Sequence, residues 1–215
     1  MAGVLSLAEI AADPGLLTWR LRLPAGERGG AAEVILRPLV HGDADGLGDF
    51  LAGLSPTTRR LSTFDGYDLP AARELCAAIG RYDKLRLVLE EAPGGRIVGL
   101  LEFSLDLTAA DIARHARAGI RLDPATDCRF GPTLADDHQA NGVGSLVFPL
   151  LVEVARRLGR TRIILWGGVL ADNARALRFY EKNGFRRVGS FTGPDGTLCL
   201  DMLLDPNLGR ADTGL

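Results

Sequence analysis

Apolar and polar positions recur along this chain with two periods, and each change of period marks a new element. From Leu17 to Leu23, Leu17, Trp19, Leu21 and Leu23 fall on one side while Thr18, Arg20 and Arg22 fall on the other, the pattern of a half-buried strand. Before it, Met1 to Pro14 holds one short helix. After it, Pro24 to Gly30 is a turn or loop by its Pro and Gly content. Glu33 to Leu39 predicts a second strand, ending near Pro38 and pairing with the first as a hairpin. Asp43 to Leu54 predicts a helix with Leu47, Phe50, Leu51 and Leu54 on one face. Ser55-Pro56 has the form of an N-cap followed by proline at the first helical position, so a short helix runs from Pro56 to about Leu61. Phe64 to Asp68 is a loop with two aromatics and two acids, and Leu69 to Ile79 is an amphipathic helix stopped by Gly80. Leu85 to Glu90 and Arg96 to Leu105 predict a strand pair turning at Pro93-Gly94-Gly95. Thr108-Ala-Ala-Asp111 has the spacing of a capping box and opens a helix to about Ala118, stopped by Gly119.

The second half repeats strand and helix. Asp127 to Leu134 predicts a strand, followed by Gln139-Ala-Asn-Gly142-Val-Gly144 and an apolar helix from Ser145 to Leu158. Pro149 inside that helix should bend it or remove a hydrogen bond. Arg162 to Val169 is a nearly continuous apolar run, as a central strand requires. Asp172 is expected to cap a helix that runs to Lys182 and stops at Asn183-Gly184. Phe185 to Phe191 and Thr197 to Leu204 are the last strands, and Pro206 to Leu215 is expected to fray. This alternation predicts a mixed α/β sheet in one domain. The expected divisions are an N-terminal extension with an extra strand over 1–32, a domain over 33–204 and a flexible tail over 205–215.

Composition narrows the function classes. A chain of 215 residues, 47% hydrophobic, is one sizeable domain or a domain with an extension. A net charge of -2 provides no basic field for nucleic acid. Cys76, Cys128 and Cys199 are odd in number and widely spaced, and there are 3 His. Neither a disulfide framework nor a metal site is therefore expected, and the thiols read as buried and reduced. No apolar run reaches the ~20 residues of a membrane span. Glu9 and Asp13 near the N-terminus, without a basic lead, do not read as a signal peptide. The expectation is a soluble cytoplasmic protein, monomer or homodimer, with no nucleic-acid or membrane partner.

The chemistry concentrates at the junction from Gln139 to Gly144. Two glycines there remove side chains that would keep a ligand from the backbone. The first turn of the following helix carries N–H groups without carbonyl partners, and the helix dipole adds to them, which suits a phosphate. Taken alone, the glycines also fit an ordinary tight turn. Two stretches together give more. Gln139-Ala-Asn-Gly142-Val-Gly144 resembles the Q/R-x-x-G-x-G/A motif of the GNAT N-acetyltransferase superfamily. Asn173-Ala-Arg-Ala-Leu-Arg-Phe179-Tyr180-Glu181-Lys-Asn-Gly184-Phe185 is similar to that superfamily's second signature, and Ile35-Leu36-Arg37-Pro38-Leu39 followed by Asp43 to its first strand and helix start. The resemblance covers roughly 33–204.

It implies a GNAT fold, with splayed central strands in a mixed sheet flanked by helices, and acetyl-CoA as co-substrate without a metal. The diphosphate would lie on Gln139, Ala140, Asn141, Gly142, Val143 and Gly144. The pantetheine arm would be held by backbone groups of Pro132, Thr133 and Leu134, and Asn173 would touch the cofactor. Tyr180 would give a proton to the departing thiolate. Such roles fit the reaction: an amine attacks a thioester carbonyl, an N–H near Leu134 stabilises the oxyanion and a phenol supplies the proton. Other readings stay open. Tyr180 can be a core aromatic, Asn173 a helix cap, Gln139 a brace for the loop, and Arg156, Arg157, Arg160 and Arg162 a solvated face rather than a phosphate contact.

The strand Asp127-Cys128-Arg129-Phe130-Gly131 lacks the Glu that many members use as base. Glu102, an acid inside the apolar strand Leu100-Leu101-Glu102-Phe103, is the candidate, with Asp127 second and bulk water third. The acceptor is a small-molecule amine or a protein lysine. Asp65, Asp68 and Glu102 favour a cationic one, and Leu54-Ser55-Pro56 is reminiscent of bacterial GNAT domains that acetylate lysines. A module that binds acyl-CoA without turning it over is the alternative, and a nucleotide-binding regulatory fold is a third, weaker one.

Overall fold

A computed structural model of the chain describes residues 3–23, 33–62, 64–193 and 195–205. In chain order the elements are α1 (Leu7–Ala12), β1 (Trp19–Arg22), β2 (Glu33–Pro38), α2 (Ala44–Gly53), α3 (Pro56–Arg60), α4 (Leu69–Ala77), β3 (Lys84–Ala92), β4 (Ile97–Ser104) and α5 (Ala109–Arg117). There follow β5 (Asp127–Leu134), α6 (Val143–Arg157), β6 (Arg162–Leu165), β7 (Val169–Leu170), α7 (Ala174–Lys182), β8 (Arg186–Thr192) and β9 (Leu198–Leu204). The strands form one mixed sheet in the order β1-β2-β3-β4-β5-β6-β9-β7, with β8 on β9. β5 and β6 are parallel, whereas β1–β2, β2–β3, β6–β9, β7–β9 and β8–β9 are antiparallel. The expected frayed tail lies outside the described residues, as does most of the loop before β2.

The chain clusters into two compact units, one of residues 5–102 and 132–147, the other of 103–131 and 148 onward with the N-terminus through Val4. In the first, the predicted hairpin is present, with Trp19 opposite Leu36 and Arg22 opposite Glu33. Its strand starts later than the alternation suggests. Asp13 accepts from Gly15 N and caps a 3-10 turn over Pro14–Leu17, so Leu17 is buried from a turn. Leu47, Phe50 and Leu51 of α2 and Ala72 and Cys76 of α4 pack with Val88, Ile97 and Leu100, as the face drawn from the sequence requires. Asp68 caps α4 through Ala71 N, which gives one of the loop acids a local role.

In the second unit, Phe148, Phe179, Tyr180 and Phe185 pack edge-on, with centroids 5.1 to 6.0 Å apart. The capping box at α5 is complete. Its Asp111 also accepts from Arg114, which donates to Asp201 on β9 and lies 4.1 Å over the ring of Phe191. α5 is thus stitched to the last hairpin by charge and stacking.

Two expectations are corrected here. The run Arg162 to Val169 is not one strand: Gly167 and Gly168, both at φ 70, separate β6 from β7. Apolar side chains continue across the break, so hydropathy alone does not register it. The cap of α7 is Asn173, whose Oδ1 accepts from Ala176 N at 3.1 Å. Asp172 sits one residue earlier, in the turn where Asn173 N bonds Leu170 O.

The glycine pair provides a controlled comparison. A Cβ on Gly167 meets nothing within 4 Å, whereas one on Gly168 meets Leu200 O at 2.8 Å and Phe191 Cε1 at 2.9 Å. Gly167→Ala is expected to lose about 1–2 kcal/mol, the left-handed cost alone. Gly168→Ala is expected to lose clearly more in denaturant titration, and equal losses would show that the close approach is immaterial.

Candidate active site

The connection from β5 to α6 is built from residues whose side chains turn inward. Gln139 Nε2 donates to Leu134 O at 2.7 Å and to Thr58 Oγ1 at 3.1 Å. Asp136 accepts from Ser55 N at 2.9 Å, Ser55 Oγ at 2.6 Å and Thr58 Oγ1 at 2.7 Å. Asn141 Nδ2 donates to Asp137 O at 2.9 Å. Gln139 therefore braces the loop.

That backbone has an unusual path. Ala140 has φ 62 and Gly142 φ 78. For an alanine the left-handed region costs about 1–2 kcal/mol, and such strain gathers at functional turns. Gly142 O accepts from Leu146 N at 3.0 Å, which makes Gly142 the residue before the first turn of α6. A Cβ on Gly142 would meet nothing within 4 Å, so the space above the turn is open. Val143 and Gly144 then start a 15-residue helix, whose first amides and dipole favour an anion.

The pairing of β5 with β6 ends at Phe130 opposite Leu165, and β5 continues to Leu134. Of its last three residues, Pro132 has no N–H and Leu134 O is taken by Gln139. Thr133 and Leu134 carry the remaining amides. On the β4 side a Cβ on Gly99 would meet Leu134 Cδ2 at 2.8 Å, so this glycine permits the approach of the two strands.

Glu102 is 7% exposed, and its Oε1 accepts from Nε of Arg86 at 2.7 Å, itself 8% exposed. It is neither outward-facing nor an isolated buried acid, because the second charge in an apolar strand is its partner. Asp127 is fully buried, and Arg162 bonds both of its oxygens at 2.8 and 2.6 Å while Asp123 N adds a third bond. That engagement makes Asp127 a brace between β5 and β6. The basic cluster is engaged as well: Arg156 and Arg157 with Glu153, Arg160 with the carbonyls of Pro124 and Ala125, and Arg162 with Asp127.

Tyr180 is buried on α7, against Phe179 and Phe185. Phe179 is the more exposed of the neighbouring pair, the reverse of an arrangement in which Phe179 fills the core. Burial pushes the Tyr180 phenol well above its ordinary range. Asn173 has its Oδ1 committed to the helix cap. Sequence reasoning missed Arg129, which donates to Asp106 O and Ser104 Oγ under Trp166, 4.5 Å from that ring. Among the described residues no group of three His, Cys, Asp or Glu could hold a metal ion, and no helix is long and apolar enough to cross a membrane.

The sequence profile of the acetyltransferase (GNAT) family matches residues 57–185, more than half of the chain and both signatures. The chain belongs to the acetyltransferase (GNAT) family. By that membership it is an N-acetyltransferase. No curated protein matches this acetyltransferase. Its fold is similar to the GNAT domain of S. lividans PAT, with TM-score 0.64 and 22% identity over 89% of this chain and 98% of that one. It is also similar to AAC(6')-Ib in complex with ribostamycin and coenzyme A (TM-score 0.63, 20% identity, 84% and 98% covered). Mycobacterium smegmatis RimJ in complex with CoA-disulfide gives TM-score 0.63 and 16% identity over 92% and 90% of the two chains.

Burial raises the Asp136 carboxyl, but the hydrogen bonds from Ser55 and Thr58 outweigh it and hold the group below its ordinary range. A depressed folded value gives stability that is present above the unfolded pKa of about 3.9 and is lost as pH falls through the folded one. Asp136→Asn is thus expected to lower the melting temperature of the acetyltransferase at neutral pH, with the gap to wild type closing as pH falls below the unfolded value of about 3.9. A gap that persists in acid would mean that the loop does not depend on this charge.

Proposed function

We propose that this acetyltransferase moves the acetyl group of acetyl-CoA to a primary amine by direct attack, with the diphosphate on the backbone of residues 139–144. The observation that carries this reading is the left-handed turn through Ala140 and Gly142, open above Gly142 and leading into the first turn of α6, in a chain of this family. The CoA bound in the AAC(6')-Ib and RimJ structures supports it. The arm would use the amides of Thr133 and Leu134 beside Pro132, and one of these amides the oxyanion. Asn173 would reach the cofactor through Nδ2, its Oδ1 being committed to the cap. We assign the acetyltransferase domain to residues 33–204 and the enzyme to the cytoplasm, a reading that the three buried free cysteines support.

Glu102 is the proposed base, acting from a carboxylate that shares Oε1 with Arg86, and Tyr180 the proton donor to the thiolate. The acceptor is a small-molecule amine or a protein lysine. Ribostamycin, bound in the AAC(6')-Ib structure, supports the small molecule. Ser55-Pro56 also has a structural use, as the cap of α3 and a tether for Asp136, which weakens the hint toward lysine. A screen of aminoglycosides, polyamines, amino acids and lysine peptides with acetyl-CoA decides the class.

Gly142→Val tests the diphosphate assignment. Its side chain enters the open space, so the folded mutant should show no acetyl-CoA binding by calorimetry; unchanged affinity would sink the assignment.

Steady-state kinetics test the two acid–base roles. Tyr180→Phe keeps the packing area and removes the one useful atom, so kcat is expected to fall about 10²- to 10⁴-fold with acetyl-CoA affinity held within a few-fold. Glu102→Gln is expected to remove an ionisation from the pH profile of kcat/KM. A Tyr180→Phe enzyme with most of the wild-type kcat removes the donor, and an unaltered profile in Glu102→Gln removes the base.

A further inference from the structure

A threonine on α3 reaches Gln139, the first residue of the turn before α6, from far away in sequence. Thr58 is 5% exposed. Its Oγ1 donates to Asp136 Oδ1 at 2.7 Å and accepts from Gln139 Nε2 at 3.1 Å, across 78 and 81 residues of chain. Gln139 Nε2 also donates to Leu134 O at 2.7 Å. The direction of each bond follows from its partners. A carbonyl oxygen only accepts, so the nitrogen of the Gln139 amide is what faces Leu134. A carboxylate only accepts as well, so the single hydroxyl proton of Thr58 goes to Asp136 and a lone pair faces Gln139. The three side chains form a relay, in which the carboxylate polarises the hydroxyl and makes it a better acceptor.

The far end of the relay is anchored in the core. Ser55 Oγ accepts from Thr58 N at 3.2 Å, which caps α3, and donates to Asp136 Oδ1 at 2.6 Å. Arg59, next to Thr58, donates from Nε to Leu54 O at 2.9 Å and from Nη2 to Ala52 O at 2.7 Å. These bonds tie α3 to the end of α2, where Leu51 and Leu54 are buried in one cluster with Val88, Ile97 and Leu100. Position is thus passed from the core through α2 and α3 to Gln139. A valine in place of Thr58 keeps the shape and breaks the relay at its centre. One amide hydrogen of Gln139 and one lone pair of Asp136 then lose their partner, whereas the bonds to Leu134 and Ser55 remain.

We propose that Thr58 is a positioning residue for the cofactor: its hydroxyl holds Gln139 in the orientation that closes the turn, and the affinity for coenzyme A depends on it although Thr58 lies outside both signature stretches. The proposal rests on the reading that residues 139–144 hold the diphosphate. An anion gains from several amides only when they point at it together, and amides set in advance spare the complex the cost of ordering them.

The experiment is calorimetric titration of the full chain with coenzyme A. Wild type, Thr58→Val, Thr58→Ser, Gln139→Leu, the double variant Thr58→Val with Gln139→Leu, and Gly142→Val are compared. Thr58→Val is expected to bind about 3- to 10-fold more weakly than wild type, the equivalent of one hydrogen bond. Thr58→Ser keeps the hydroxyl and is expected to restore affinity to within about 2-fold. The double variant separates positioning from support of the fold alone. If Thr58 acts through Gln139, the valine costs nothing further once Gln139 has lost its amide. Thr58→Ala, which removes the hydroxyl and suits a helix, takes the place of Thr58→Val if the valine variant does not fold. Wild-type affinity in Thr58→Val, a serine variant as weak as the valine one, or an undiminished valine effect beside Gln139→Leu overturns the proposal while leaving the diphosphate reading intact. Wild-type affinity in Gly142→Val overturns both.

Discussion

The bond from the Gln139 side chain to the Leu134 carbonyl closes the connection between β5 and α6 on itself. With that bond in place, a left-handed residue at Ala140 and another at Gly142 carry the chain from strand to helix in a few steps. The strain at Ala140 has to be opposed by contacts elsewhere. Asp136 supplies them on the α3 side, and Asp137 and His138 on the hairpin side. A loop fixed in this way spends little ordering entropy when a ligand arrives. On the proposed reading its recognition surface would be peptide N–H, which fits a motif written in small residues rather than in basic ones.

Buried charge follows one rule in both units. Arg86 neutralises Glu102, Arg162 neutralises Asp127, and Arg114 lies between Asp111 and Asp201. A buried charge without its partner is strongly destabilising, whereas a satisfied pair is nearly neutral. Each acid in an apolar strand therefore implies an arginine nearby in space. For Glu102 this means that Oε1 serves the fold, and any service to the reaction would have to coexist with that bond.

The periodic elements were legible because local rules decide them. The buried face of α2, the capping box of α5 and the span of β5 follow from apolar spacing, cap chemistry and turn residues within a few positions. What escaped reading depends on partners far away in sequence. Nothing near Glu102 announces Arg86 as its mate, although an arginine among Leu85, Leu87 and Val88 is the same anomaly seen from the other strand. His138 meets Glu91 across a long separation, and only the adjacent acids Asp136 and Asp137 hint at a bonded turn. The break at Gly167 and Gly168 was in the sequence, and an apolar average over the run concealed it. Asn173 and Asp172 are both good caps, and the backbone of the β7 turn chooses between them. The candidate site was readable as a loop motif, whereas the hydrogen bonds that its side chains make were not.

Burial of Tyr180 constrains the donor role more than it opposes it. A phenol packed against Phe179 and Phe185 stays neutral at any working pH, because the phenolate is poorly solvated there. It is then a weak acid, and an ordinary thiolate, with a pKa of about 8.5, would not take its proton readily. Desolvating the thiolate to a similar degree removes the extra cost that burial of the phenol adds and returns the gap to about what it is in water. Burial raises the Cys128 thiol of this chain in the same sense. A leaving sulfur in surroundings of that kind is more basic than one in water, so its demand for a proton from a donor is greater. Packing and proton donation are then two consequences of one low-dielectric environment. The donor reading therefore requires a dry sulfur, and a solvated thiolate would depart without Tyr180.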